Sequence, residues 1–158
     1  MNPEHQHISK LIYLADDDEE DRSLFAEALH EIDTSVELIV AEDGEKLIHR
    51  LCVAPSSLPD VIILDINMPK LNGFECLEII RGHDSDLKYT NVIMFSTSNN
   101  PAAIAKSKKL GATFYAVKPA SFKDLKSLIN DILKVGLLSP RDNSKLPIGN
   151  YNQGIVRF

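Results

Sequence analysis

Residues Val61 to Leu77 read VIILDINMPKLNGFECL. Four apolar residues, Val61 to Leu64, lead without polar alternation into Asp65. A run of that kind predicts a strand buried on both faces, as in a parallel sheet covered by helices. Pro69, Asn72 and Gly73 then interrupt regular structure, and Phe74, Leu77 and Ile80 open a helical stripe. Asp65 is therefore expected at the carboxyl end of a central strand, the edge where open α/β sheets form their ligand crevice. A carboxylate there can also do no more than cap the next turn. Its chemistry depends on which residues the rest of the chain brings beside it.

Working outward, Leu11–Ala15 (LIYLA) is a second buried-strand candidate, and it ends at Asp16-Asp17-Asp18. Leu24, Phe25, Ala28, Leu29 and Ile32 follow at helical spacing, behind acids that suit the positive end of a helix dipole. Residues 36–41 (VELIVA) form the next strand, and Leu47, Ile48 and Leu51 a short helix after Asp43-Gly44. A loop, APSSLP, precedes Val61, and a polar connection, GHDSDLKYT, follows the third helix. Residues 92–95 (VIMF) make a fourth strand running into Ser96-Thr97-Ser98. Asn100-Pro101 is an N-cap followed by proline at the first helical position, and Gly111 closes that helix. Residues 113–117 (TFYAV) are the fifth strand, closed by Lys118-Pro119. Ser121 and Asp124 begin a last helix, with Leu125, Leu128, Ile129, Ile132 and Leu133 as its stripe and Gly136 at its end. Five strands alternating with five helices predict a doubly wound (βα)5 α/β domain over residues 10–136.

The bulk numbers narrow the function. A chain of 158 residues, 44% apolar and 25% charged, is expected to be one globular domain. Its net charge of −6 argues against a broad basic face for nucleic acid. No apolar run approaches the roughly 20 residues of a membrane span. The first nine residues are a polar lead-in without a signal peptide's apolar segment, so a cytoplasmic protein is expected. His5 and His7 read as part of that solvated terminus. Cys52 and Cys76 form no metal-type spacing and are expected as buried free thiols.

The strand ends now form a set. Asp16 and Asp17 come from the first strand, Asp65 from the third, Ser96 from the fourth and Lys118 from the fifth. Parallel strands direct these ends to one edge. Three carboxylates at close quarters repel, and some resist ionisation. A hard divalent cation such as Mg2+ resolves that conflict and keeps positions for water and phosphate. Asp65 then has the makings of a nucleophile toward a phosphoryl group, with Lys118 and Ser96 set to offset or donate to the transferring oxygens.

The acidic run after the first strand, DINMPKLNG, FST and FYAVKP together resemble the receiver domain of two-component response regulators, the CheY-like, flavodoxin-like family. The resemblance implies a parallel sheet of order 2-1-3-4-5. It implies that Asp65 is the phosphoacceptor, and that Asp16, Asp17, Asp65 and the main-chain carbonyl of Asn67 hold Mg2+, with Asp18 outside the acid pair. Ser96 takes the place of the switch hydroxyl, Lys118 that of the family's lysine, and Tyr115 that of an aromatic whose ring moves inward when Ser96 swings toward the phosphoryl group. Asn67 and Ser98 occupy positions that tune hydrolysis; both are small and polar and leave room for an attacking water. The Lys118–Pro119 bond resembles the family's cis peptide.

The implied function is a stand-alone receiver. It takes a phosphoryl group from a sensor histidine kinase or histidine phosphotransfer protein and switches a protein-binding surface made by helix four, strand five and helix five. It catalyses only its own phosphotransfer and autodephosphorylation. Neither nucleic acid nor membrane is an expected partner, and a homodimer stays open. Residues 137–158 are too few for an output domain with its own core, yet Leu146, Ile148, Tyr151, Ile155, Val156 and Phe158 are too apolar for a plain linker. They are expected to pack on the domain or to add a strand through GIVRF.

Three other readings compete. A haloacid-dehalogenase-like phosphohydrolase also uses an aspartyl nucleophile, but places a DxD motif on the first strand. Here Asn67 stands at the second acid position. A degenerate receiver would bind partners without phosphorylation. A flavodoxin-like FMN module would need a phosphate site where this chain is acidic.

Overall fold

The computed structural model describes residues 10–53, 57–136 and 155–158. The order of elements is β1 (Leu11–Ala15), α1 (Glu19–Ile32), β2 (Glu37–Ala41), α2 (Gly44–Cys52), β3 (Val61–Asp65), α3 (Gly73–Arg81), β4 (Asn91–Ser96), α4 (Pro101–Lys109), β5 (Phe114–Val117), α5 (Phe122–Gly136) and β6 (Ile155–Arg157). One sheet holds all six strands, in the order β2-β1-β3-β4-β5-β6. The first five are parallel, as the alternation of strand and helix predicts, and β6 runs antiparallel to β5.

Successive side chains of a strand point to opposite faces, so the sheet builds two cores. On one face Ile12, Leu14, Val61, Ile63, Ile93 and Phe95 pack with Phe25 and Leu29 of α1 and with Leu125, Ile129 and Ile132 of α5. On the other, Tyr13, Ile62, Leu64, Met94 and Tyr115 pack with Leu47 of α2 and with Cys76, Leu77 and Ile80 of α3; Ile104 of α4 lies at the margin. Residues Val61 to Leu64 are covered from both sides and at most 1% exposed. That double cover explains why this stretch has no polar alternation.

Side-chain caps fix where the helices start relative to the strand ends. Asp18 is the N-cap of α1 and accepts from the Asp21 N–H. Asn72 and Glu75 form a reciprocal capping box on α3. Gly73, the first residue of α3, lies against the end of β3; a Cβ there would come within 2.4 Å of the Asp65 carbonyl oxygen. Gly111 takes a positive φ of 94° after α4, the left-handed cap expected of it.

Two expectations need correction, and two gain detail. The polar GHDSDLKYT connection holds a short element: Asp86–Tyr89 is a 3-10 turn that buries Leu87. Arg81 braces that turn, donating to the carbonyls of Lys88, Thr90 and Gly111 at 3.0, 2.8 and 2.8 Å. Cys76 is buried, but Cys52 is exposed. Cys52 ends α2 one residue past Leu51, about 100° from the buried stripe. The Lys118–Pro119 bond is trans, and no peptide bond among the described residues is cis. Trans is the lower-energy form of an X-Pro bond, and in it the Lys118 N–H donates to the Ser96 carbonyl at 2.7 Å. The five expected parallel strands are joined by β6, one of the two outcomes expected for residues 137–158: Ile155–Arg157 pair with β5. Leu146, Ile148, Tyr151, His5 and His7 lie outside the described residues.

Candidate functional site

The carboxyl ends of β1, β3, β4 and β5 meet at one edge of the sheet. Asp16 directly follows β1, Asp65 ends β3, Ser96 ends β4 and Lys118 follows β5. Asp16, Asp65 and Ser96 are all buried, and Asp17 is exposed beside them. Carboxylate oxygens of Asp16, Asp17 and Asp65 lie within 4.8 Å of one another. Such a donor set fits a hard cation with oxygen ligands.

Lys118 reaches across these acids. Its Nζ is 2.7 Å from Asp16 Oδ2, 2.9 Å from Asp21 Oδ2 and 3.4 Å from Asp65 Oδ2. The ammonium also stands 5.5 Å from the centroid of the Phe95 ring. Main-chain and side-chain donors hold the acids in place. The Asp18 N–H donates to Asp16 Oδ1 at 3.0 Å, Arg22 Nη1 to the Asp16 carbonyl at 2.7 Å, and the Asn67 N–H to Asp65 Oδ1 at 3.3 Å.

Asp21 is the residue that sequence reasoning missed. A signal for it was available. Asp21, Phe25 and Ala28/Leu29 recur at i, i+4 and i+7/i+8 along α1, and Phe25, Ala28 and Leu29 are buried. An acid on the core-facing stripe of a helix calls for a cationic partner, and Lys118 is that partner. Asp18 shows the opposite outcome, since its side chain is spent on the α1 cap.

The electrostatics follow from burial. Loss of solvent raises the Asp65 carboxyl to about 7, with Lys118 opposing the rise and Asp16 adding to it. For Lys118 burial works to lower the value, but hydrogen bonds to Asp16 and Asp21 and the charges of Asp16 and Asp65 outweigh it, so the ammonium is held more firmly than an ordinary lysine. The site thus contains a firmly held cation beside an acid that burial holds toward its protonated form.

A second chain of contacts leads away from the site. The Ser98 N–H donates to Ser96 Oγ at 3.2 Å, and the Tyr115 hydroxyl donates to the Ser98 carbonyl at 2.6 Å. Tyr115 is fully buried. The ring expected to move inward is therefore already inside, because strand alternation places it on the face that carries α4. Asn67 and Ser98 are exposed at the rim.

Comparison with known proteins gives a family match and several relatives. The family described as "Response regulator receiver domain" matches residues 12–130. "Response regulator Rcp1" of Synechocystis is 32% identical over 78% of this chain and 86% of its own length. Its Mn2+-bound crystal structure superposes with a TM-score of 0.68, over 78% of this chain and 91% of that one. The phosphorylated cyanobacterial phytochrome response regulator RcpA gives 0.73 at 32% identity, over 81% and 94%. "Probable transcriptional regulator ycf27" of Guillardia theta is 37% identical over 61% of this chain, which spans only 35% of that relative.

Proposed function

The chain belongs to the response regulator receiver domain family, and from that premise we propose that Asp65 is its phosphoacceptor and that Asp16, Asp17, Lys118 and Ser96 are the machinery around it. The observation that carries this reading is the convergence of Lys118 on Asp16 and Asp65 at 2.7 and 3.4 Å, from strand ends about 50 and 100 residues apart in sequence.

The Asp16, Asp17 and Asp65 carboxylates and the main-chain carbonyl of Asn67 would hold Mg2+, the cofactor of receiver domains, which supplies positive charge to the phosphoryl oxygens when bound. The chain's own residues do the rest. An Asp65 carboxylate oxygen forms the new bond to phosphorus. The bond from phosphorus to the donor's histidine nitrogen breaks, and the nitrogen keeps the electron pair. Lys118 offsets charge on the transferred group, and Ser96 Oγ–H donates to one of its oxygens. Asp21 is a positioning residue that holds the ammonium on the α1 side of the cluster. Asn67 and Ser98, exposed and small, leave a path for the water that later hydrolyses the acyl phosphate.

In this reading the protein is no enzyme toward outside substrates, because its reaction ends on its own side chain. The donor is a sensor histidine kinase or a histidine phosphotransfer protein. The readout is a partner that binds the surface of α4, β5 and α5, and the signalling unit is residues 10–136. A cytoplasmic location suits such partners. Among the described residues no helix is long and apolar enough to cross a membrane.

Acetyl phosphate with Mg2+ tests the assignment. Intact mass should show one phosphoryl adduct that is lost in base and absent from Asp65→Asn. An adduct that persists in that variant overturns it, as does steady turnover of p-nitrophenyl phosphate.

A further inference from the structure

With the phosphoacceptor reading as its basis, we infer that β6 is an intramolecular cap on the β5 edge which phosphorylation loosens, opening that edge to an extended apolar strand from a partner. Without β6, β5 would end the sheet and present a row of unpaired main-chain groups, which is a template for another strand. Residues 155–157 take that place in antiparallel register, Ala116 opposite Ile155, Tyr115 opposite Val156 and Phe114 opposite Arg157. The Phe158 N–H adds a bond to the Thr113 carbonyl at 3.2 Å.

The resident strand also shows what the edge accepts. Ile155 is buried in the core beneath α1 and α5. Val156 and Phe158 share the opposite face; Phe158 packs on the cluster that contains Tyr115, while Val156 is 40% exposed. The fit is an antiparallel segment with one deeply seated apolar side chain and a second at its end. Three strand residues make a short ladder, marginal by itself. Covalent attachment turns the pairing into an intramolecular event, so a ladder this short suffices.

The link to the acid site runs through Tyr115. Its hydroxyl is bound to the Ser98 carbonyl, and the Ser98 N–H is bound to Ser96 Oγ. When Ser96 turns to a phosphoryl oxygen it draws away from the Ser98 N–H, and Ser98 is the anchor of the ring that lies directly across from Val156. The occupied site thereby weakens the surface on which Val156 and Phe158 rest. Two states follow, capped and open, and the phosphoryl group biases them.

Hydrogen exchange on the full chain, with and without acetyl phosphate and Mg2+, tests this alongside intact mass of the same samples. Exchange of the 155–158 amides should become roughly tenfold faster once the adduct is present, the signature of a lower local opening free energy. Asp65→Asn should show no change. A fluorescent peptide of residues 150–158 (NYNQGIVRF) should bind the phosphorylated full chain more tightly than the unmodified one. Ile155→Ser should bind the peptide without phosphorylation while still forming the adduct. An adduct with unchanged exchange and unchanged peptide binding overturns this inference and leaves the phosphoacceptor assignment standing. Absence of any adduct overturns both. Protection of 155–158 that falls on dilution of the protein overturns the intramolecular cap, because the strand would then be exchanged between copies.

Discussion

Lys118 is the residue on which the site balances. Its ammonium is mostly buried and faces Asp16 and Asp65, both buried, and Asp21, which is 40% exposed. These contacts are not equivalent. Removing a lysine that pairs buried carboxylates leaves charge without compensation, which costs about 3–5 kcal/mol. Removing an acid that still sees water costs about 1 kcal/mol or less after solvent screening. Urea denaturation at pH 8 in EDTA should therefore show Lys118→Ala destabilised several times more than Asp21→Asn. Equal losses would mean that Asp21 shares fully in the buried charge balance.

Among the elements, β3 and α3 meet at a close junction. Gly73 starts α3, and its N–H donates to the Ile66 carbonyl at 2.9 Å. A Cβ would meet the Asp65 carbonyl oxygen at 2.4 Å and Ile66 Cα at 2.9 Å, and neither atom belongs to a side chain that can swing away. Gly73→Ala should therefore force the helix start away from the strand end, at about 1–3 kcal/mol for overpacking. Because the displaced backbone carries Asp65, the same variant should slow adduct formation from acetyl phosphate. Thermal unfolding and intact mass read the two effects separately. A helix stripe and a strand run were legible in the sequence here, but the spacing between them was not, since it depends on a contact between main chains.

Across the whole molecule, the acid edge sets how stability responds to pH. The Asp65 carboxyl ionises near its ordinary 3.8 in the unfolded chain and at about 7 in the folded one. Between those values the native state binds the extra proton, so its stability falls as pH rises through that window and stays reduced above it. Asp65→Asn removes the titrating group. In EDTA the variant should exceed the parent by about 1–3 kcal/mol at pH 8, and the two should converge near pH 4. A gap that widened toward acid would reverse the assigned shift. Added Mg2+ should narrow the gap at pH 8 by stabilising the charged form of the parent, as any ligand of the native state does.

The order of strands and helices, the two-sided burial of Val61 to Leu64 and the positions of Asp16, Asp17, Asp65, Ser96 and Lys118 at strand ends were all readable from the chain. They rest on local signals: apolar runs, turn residues and helical spacing. Four features needed the assembled molecule. Asp21 joins Lys118 only because α1 packs beside the end of β5. Tyr115 is inward because α4 packs over its face, and Cys52 is outward because α2 ends one step past its buried stripe. The partner of GIVRF is the fourth. Its apolar residues announced packing on the domain or an added strand, but which edge it joins was decided by contacts that exist only once the helices are packed, Ile155 in the core of α1 and α5 and Phe158 on the cluster of Tyr115.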